Sequence, residues 1–409
     1  MKQDKSGDIT RRRFLGAAAF GLAAAGWPTL TTGSDRTGPE KKAGTAPEQE
    51  VITRTLGRTG IEIPVISMGV MNANNPQVVK ASYDLGIRHF DTAAYYQYGR
   101  NEQMVGNIIN KAGVRDKVII ATKVFAAGQR RGLDEEEAVE KLIHIFEGSL
   151  QRLGMDYVDI LYIHDVSNAE TVNDPAVITA LKKLKKAKKV RFTGVSTHSN
   201  MAEVINAAVE GGFFDVVLTS INYTMADDTE LLGSIEKAAQ NGVGVIAMKT
   251  MAGGLRGLAP EIQAKYKSAT IAGASLKWVL RNENITTAIP GFDNFEHMEE
   301  DFRVATDLEY TDQEKAFLAD KEIQLGIDFC RQCRRCLASC PAGVEIPALM
   351  RTYMYAVQYG NFYQARATLD GIAANAGLDA CRSCPDCRAS CARTVDIASR
   401  IEELKLIYV

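Results

Sequence analysis

Eight cysteines, all that the chain contains, fall into two runs of identical spacing: Cys330, Cys333, Cys336 and Cys340, then Cys381, Cys384, Cys387 and Cys391, offset by 51 residues. Each run reads C-x2-C-x2-C-x3-C. Three thiolates two residues apart can wrap one face of an iron-sulphur cubane, while the fourth is set back far enough to reach another iron or a neighbouring cluster. Two four-cysteine zinc sites are the competing reading, because C-x2-C pairs also suit tetrahedral zinc, but zinc has no use for the third C-x2 step. The spacing favours two [4Fe-4S] clusters and single-electron chemistry. Disulfides are disfavoured, since pairing inside such tight runs would make a tangle of very small loops.

Pro341 follows the first run and completes its similarity to the bacterial ferredoxin pattern; Ala392 stands in the equivalent place of the second. In two-cluster ferredoxins the fourth cysteine of a run serves the other cluster. Between the runs, Leu349, Met350, Tyr353, Ala356, Val357, Phe362, Ala365 and Leu369 recur at helical spacing over 346–372. This stretch resembles the α-helical ferredoxin module of respiratory iron-sulphur subunits. Its tyrosines, Tyr353, Tyr355 and Tyr359, read as core positions.

A second chemically suggestive set lies upstream and needs a scaffold. Short β-branched runs at 65–68, 88–90, 118–122, 157–163, 191–195, 216–221, 243–248 and 287–289 alternate with helical patterns such as 133–153 and 228–240. Eight strand-helix pairs in about 250 residues have the rhythm of a (β/α)8 TIM barrel. A doubly wound sheet shares that rhythm, but it would place G-x-G-x-x-G after its first strand, and Ser67-Met68-Gly69-Val70-Met71-Asn72 is not that. Asp91, Lys123 and His164 end the second, third and fourth strands, the rim where barrel active sites are built. The fold expected is therefore α/β, a TIM barrel followed by a small, mostly α-helical iron-sulphur domain.

Neighbouring strands are about 4.8 Å apart, so these three groups and Tyr96, five residues after Asp91, can converge. An Asp91–Lys123 pair would offset the cost of burying both charges. Its ammonium beside Tyr96 is expected to favour the phenolate and bring a group of reference pKa about 10 toward neutrality. With His164 orienting a carbonyl, the set suits a reaction in which hydride reaches carbon and a proton reaches oxygen. His89 reads as a satisfied core histidine.

These residues resemble the aldo-keto reductase superfamily. The matching stretches are Phe90-Asp91-Thr92-Ala93-Ala94-Tyr95-Tyr96 with Gly99-Arg100-Asn101-Glu102, Ala121-Thr122-Lys123, Leu161-Tyr162-Ile163-His164-Asp165, Gly194-Val195-Ser196 and Ile289-Pro290-Gly291. They run in family order over about residues 51–308, and Thr55-Leu56-Gly57-Arg58-Thr59-Gly60 is similar to the hairpin beneath such barrels. The resemblance implies Tyr96 as proton donor, Lys123 and Asp91 as its tuning pair, and His164 as the carbonyl-orienting group.

It also implies a nicotinamide cofactor, NADP or NAD. Ser196 would hold the carboxamide with Thr197 in place of the family's frequent Asn, Ser220 stands where Gln is common, and Met248 replaces a stacking aromatic. Glu300 matches the adenine-edge pattern and Asp301 stands where Asn is usual. Gly291 and His297 occupy the places of common 2′-phosphate-binding cations, so the nucleotide preference stays open. Independently, Lys249, Gly253 and Arg256 lie in a glycine-rich segment whose amides and cations can cradle a pyrophosphate.

At the N-terminus, Thr10-Arg11-Arg12-Arg13-Phe14-Leu15 precedes a short apolar run over 16–26. The pattern resembles a twin-arginine export signal, too short to span a bilayer. The expected organisation is a signal over 1–30, a polar linker over 31–50, a barrel over 51–325 and a two-cluster domain over 326–409. Export to the periplasm would follow, with membrane contact only through an uncleaved signal. A net charge of −2 gives no basic excess for nucleic acid, and Lys182, Lys183, Lys185, Lys186, Lys188 and Lys189 read as a solvated helix face. Three readings of the whole follow: an oxidoreductase acting on a small carbonyl or alcohol with clusters serving a redox partner protein, an electron-transfer protein whose barrel is a non-catalytic docking or ligand-binding scaffold, or a catalytic barrel whose clusters are purely structural.

Overall fold

A computed structural model describes residues 50–126, 133–254, 260–320, 323, 329–382, 384, 386–393 and 395–408. The signal-like segment, most of the linker and Arg256 lie outside the described residues.

Eight parallel strands follow one another around a barrel: β3 (Met68–Gly69), β4 (His89–Asp91), β5 (Ile119–Phe125), β6 (Val158–His164), β7 (Val190–Thr197), β8 (Val216–Ser220), β9 (Gly244–Met248) and β10 (Thr287–Ala288). A parallel bridge between Ile66, two residues before β3, and Ala288 of β10 closes the ring. The eight sequence-predicted strands correspond to these in order, with ends displaced by a few residues. The 133–153 pattern becomes the helix Glu135–Leu153, begun by Asp134 and Glu137 in a reciprocal capping box.

Side chains alternate across each strand. One face packs on the surrounding helices; the other, with Ala121, Ile160, Tyr162, Val216, Leu218 and Ile246, fills the interior. An antiparallel hairpin, β1 (Thr53–Thr55) and β2 (Glu62–Pro64), adds Leu56, Ile61 and Ile63 to that interior. It can approach because residue 57 is glycine. Gly57 has a φ of 48°, and a Cβ there would lie 2.4 Å from the Gly244 nitrogen. The same alternation puts Asp91, Lys123, His164, Ser196, Ser220 and Met248 on inward-facing positions near the C-terminal ends of β4 to β9.

Beyond the barrel, the helix Ile346–Tyr353 runs directly into a π-helical turn, Met354–Gln358, followed by Phe362–Asp370 and the last helix, Ile397–Tyr408. Val344, Ile346, Leu349, Leu378, Ile401 and Leu404 form a second core among these elements. Met354, Tyr355, Ala356 and Ala365 instead join the barrel's outer cluster. Polar clamps complete the joint: Asp227 binds both Arg331 and Arg393, and the Asn361 amide donates to Asn72 Oδ1 at 2.8 Å. Among the described residues no helix is long and apolar enough to cross a membrane.

Candidate active site and cysteine centres

Lys123 sits two residues before the end of β5, and its ammonium is bound by Asp91 at the end of β4. It also donates to the Thr92 carbonyl at 2.8 Å and to Tyr96 Oη at 3.4 Å. The His164 ring, from the last residue of β6, meets the Tyr96 ring edge-on with centroids 6.0 Å apart and stacks on Phe125 at 4.7 Å. The four groups named from the sequence therefore converge on one corner of the rim.

The loop carrying Tyr96 is held from below. Asn101 accepts from Thr92 Oγ1 at 2.7 Å and donates to the Val70 carbonyl at 2.7 Å, while buried Glu102 takes Thr122 Oγ1 at 2.5 Å and Arg152 at 2.7 Å. Gln97 and Tyr98 follow in left-handed conformations, with φ of 51° and 56°, which turn the chain sharply after Tyr96.

The electrostatics correct one expectation. Burial, followed by the charges of Asp91 and Asp165, raises the Tyr96 phenol well above its ordinary value. The ammonium that was to stabilise the phenolate is already bound to Asp91, so desolvation wins. Tyr96 is a fully protonated phenol. His164 is driven well below its usual value by burial, Lys123, Arg351 and Lys249, leaving a neutral imidazole that can donate one hydrogen bond. His89 is a second correction: it is buried, but neither ring nitrogen has a protein partner, and burial together with Lys123 pushes it down to about 3.

Asp91 and Tyr96 open onto a cleft with a cavity volume of about 320 Å³. Met248, Lys249, Gly253, Glu300 and Asp301 line the same cleft, so these sequence-named residues are brought together. Gly253 also explains itself by packing. Its φ is 95°, and a Cβ would lie 2.7 Å from Gln358 Oε1 on the π-helical turn. Ser196 and Thr197 lie behind the cleft wall: Ser196 Oγ accepts from the Asp165 amide at 3.1 Å, and Thr197 Oγ1 donates to the Ser199 carbonyl at 2.9 Å. Ser220 instead bonds His198 Nδ1 at 3.1 Å in a smaller inner cavity. For a nicotinamide nucleotide the cleft supplies space, the Lys249 ammonium, the carboxyl groups of Glu300 and Asp301, and Met248 and Gly253 on its wall. Its donor set fits.

Sequence reasoning missed which residues of the C-terminal region reach the site. Arg351 grips Asp165, the residue after His164, with two hydrogen bonds of 3.0 and 2.6 Å. Tyr355 and Tyr359, read as core positions, stand with ring centres 4.6 and 5.5 Å from the Lys249 ammonium. His198 lines both cavities. Only its place just beyond Ser196 hinted at this.

The cysteines divide across the runs. Cys330, Cys333, Cys336 and Cys391 line one cavity; Cys340, Cys381, Cys384 and Cys387 line another. Each run thus sends its fourth cysteine to the other group. Among the described residues no three His, Cys, Asp or Glu side chains converge enough to hold one metal ion directly. Each group surrounds a space, as a cubane requires. Burial, with neighbouring thiols adding to it, pushes Cys330 up to about 12 and Cys336 and Cys381 up to about 11, so these three thiols ionise only with a cation beside them. Gln332 Nε2 and the Arg393 amide donate to Cys330 and Cys391 sulphur at 3.3 and 3.4 Å. Cys330 also borders the inner cavity with His198, Lys249 and Arg351, which places the first group next to the barrel mouth.

Residues 69–322 match the Aldo/keto reductase family, and residues 329–395 match the 4Fe-4S dicluster domain. L-galactose dehydrogenase of Arabidopsis thaliana is 30% identical over 303 residues, covering 66% of this chain and 92% of the relative. L-glyceraldehyde 3-phosphate reductase of Escherichia coli O157:H7 is 25% identical over 338 residues, covering 66% and 94%. Among solved structures, an aldo-keto reductase from Bacillus halodurans in its holo form superposes with a TM-score of 0.52 at 20% identity, over 66% of this chain and 95% of its own.

Proposed function

Because this chain belongs to the aldo/keto reductase family and carries a 4Fe-4S dicluster domain, it is an oxidoreductase, and we propose that its barrel reduces a carbonyl, or oxidises the matching alcohol, with a nicotinamide cofactor. The convergence of Tyr96, Lys123, Asp91 and His164 on one corner of the rim, with Tyr96 and Asp91 lining the cleft, carries this reading. Bound nicotinamide supplies or accepts hydride at the substrate carbon. Met248, Gly253, Glu300 and Asp301 would hold it along the cleft.

The chain's own residues handle the oxygen. His164, neutral, donates a hydrogen bond to the carbonyl and fixes its orientation. Tyr96, fully protonated, gives its proton to that oxygen as negative charge develops. Lys123 holds Tyr96 Oη at 3.4 Å and is itself fixed by Asp91, so its charge is present near the incipient phenolate without being free to leave. The C-terminal region roofs the cleft with Gln358 and Tyr359 and limits water there. A raised phenol keeps on Tyr96 the proton that the reductive step uses.

The two cysteine groups would each hold one [4Fe-4S] cluster, which exchanges single electrons. Cys330 on the wall of the inner cavity supports electron exchange between the first cluster and the barrel site, and the exposed Cys333 and Cys387 support contact with a redox partner protein. Iron and acid-labile sulphide in anaerobically purified protein, followed by redox titration with and without NADH or NADPH, test this. Absence of any nucleotide-dependent change, together with no carbonyl turnover, would leave the barrel a scaffold. Export rests on Arg11-Arg12-Arg13 and the apolar run after it. Replacing Arg11, Arg12 and Arg13 by lysine should retain the protein in the cytoplasm; unchanged periplasmic recovery would refute twin-arginine export.

A further inference from the structure

The charges at the barrel mouth do not balance. Asp91 is taken by Lys123, and Asp165 by Arg351. A third cation, Lys249, directly follows β9 and has no carboxylate within ion-pair distance among the described residues. It lines the same cleft as Asp91 and Tyr96, and the charges it feels are those of Arg351, Lys123, Asp165 and Asp91.

The protein also holds Lys249 in place. Its φ of 59° lies in the left-handed region that lysine seldom adopts, and the Asn222 amide donates to its carbonyl at 3.2 Å. Two ring faces from the C-terminal region, Tyr355 and Tyr359, screen the ammonium from water. Burial, Arg351 and Lys123 hold the ammonium down to about 7, against the opposing pull of Asp165 and Asp91. Such a site gains more from an arriving anion than an exposed lysine would, because the surroundings have a low dielectric and offer the charge no partner.

We propose that Lys249 binds an anionic group of the substrate, a carboxylate or a phosphate, so that the barrel acts on acidic aldehydes or ketones in preference to neutral ones. This rests on the carbonyl-reducing reading above and names its substrate class. Lys249 would set the anion at one end while His164 and Tyr96 take the carbonyl oxygen at the other. The C-terminal region then takes part in substrate choice, since its two tyrosines form the walls around the ammonium.

The test compares holoenzyme with Lys249→Met and Lys249→Arg on matched pairs: succinic semialdehyde against its methyl ester, and glyceraldehyde 3-phosphate against glyceraldehyde, each with NADH and NADPH. The native enzyme should favour the anionic member of at least one pair by about tenfold or more in kcat/KM, the worth of one charge-assisted contact. Lys249→Met should shrink that ratio about tenfold through KM, and Lys249→Arg should keep part of it. A ratio unchanged in Lys249→Met overturns the proposal, as does native preference for the neutral members. Calorimetric binding of succinate and of inorganic phosphate supplies a readout without turnover: binding to the native protein that Lys249→Met weakens supports the subsite even if no carbonyl is reduced, and no binding of either anion refutes it. If the variant loses NADH and NADPH affinity while the anionic preference stays, Lys249 serves the nucleotide phosphates and the proposal fails. Which anion gains from Lys249 separates carboxylate from phosphate.

Discussion

Arg351, on the helix between the two cysteine runs, holds Asp165 in a two-pronged ion pair, and Asp165 is the residue that immediately follows His164. One electrostatic contact thus ties the iron-sulphur region to the candidate catalytic histidine. Asp165 has a φ of 55°, and its amide donates to Ser196 Oγ, so the pair fixes a strained turn as well as a charge.

Arg351→Ala should destabilise the protein by about 2–3 kcal/mol, less than for a fully buried pair because Asp165 remains 24% exposed. Denaturant unfolding measures it. Arg351→Ala with Asp165→Asn should recover part of the loss, because no unpaired carboxylate is left at the mouth. A double variant no more stable than Arg351→Ala would contradict this account of the pair.

Tyr96→Phe should reduce carbonyl reduction by about 10²- to 10⁴-fold, the usual worth of a positioned general acid. Nucleotide affinity, followed by fluorescence quenching, should stay within about twofold, since the hydroxyl faces the substrate oxygen in this reading. Turnover near the native rate would remove Tyr96 from the mechanism.

The pH dependence follows from directions of shift. Tyr96 is raised, so it stays protonated through the neutral and mildly alkaline range, and kcat/KM for reduction should not decline there through loss of its proton. Alcohol oxidation needs the phenolate and should keep rising with pH over the same interval. His164 is lowered, so acidification to about pH 6, still near the ordinary histidine value, should not protonate it. A fall in reductive kcat/KM with an apparent pKa near that ordinary value would contradict the neutral imidazole.

The crossed cysteine groups make a pairwise prediction. Replacing Cys330 and Cys391 by alanine should cost one cluster and leave about four irons per chain, whereas replacing Cys330 and Cys340 should damage both. Iron and sulphide analysis with electron paramagnetic resonance separates the outcomes. Uncrossed ligation would reverse them, with the Cys330 and Cys340 pair sparing one cluster.

How much of this was legible in the sequence varies by element. The strands were, because β-branched runs of the right length leave little choice of state, and because Asp91, Lys123 and His164 recur where inward-facing strand ends must fall. The convergence of these groups with Tyr96 follows from parallel register, which brings Phe125 level with His164 and Asp91 level with Ala121. Cysteine spacing identified an iron-sulphur region from covalent reach alone. The Tyr96 shift went the other way from expectation, because a nearby cation acts only with the charge its own partner leaves unused, and burial depth cannot be read from one chain.

The sequence by itself determined the alternating barrel, the identity of its rim residues and the two cysteine runs, since each depends on local periodicity or on the reach of a few bonds. Only the tertiary structure decided that the iron-sulphur region roofs the barrel, that Arg351 meets Asp165 across 186 positions of sequence, and that Lys249 lies between Tyr355 and Tyr359 without a carboxylate of its own among the described residues. Contacts between such distant residues depend on how two packed faces fit. No local pattern along the chain encodes that fit.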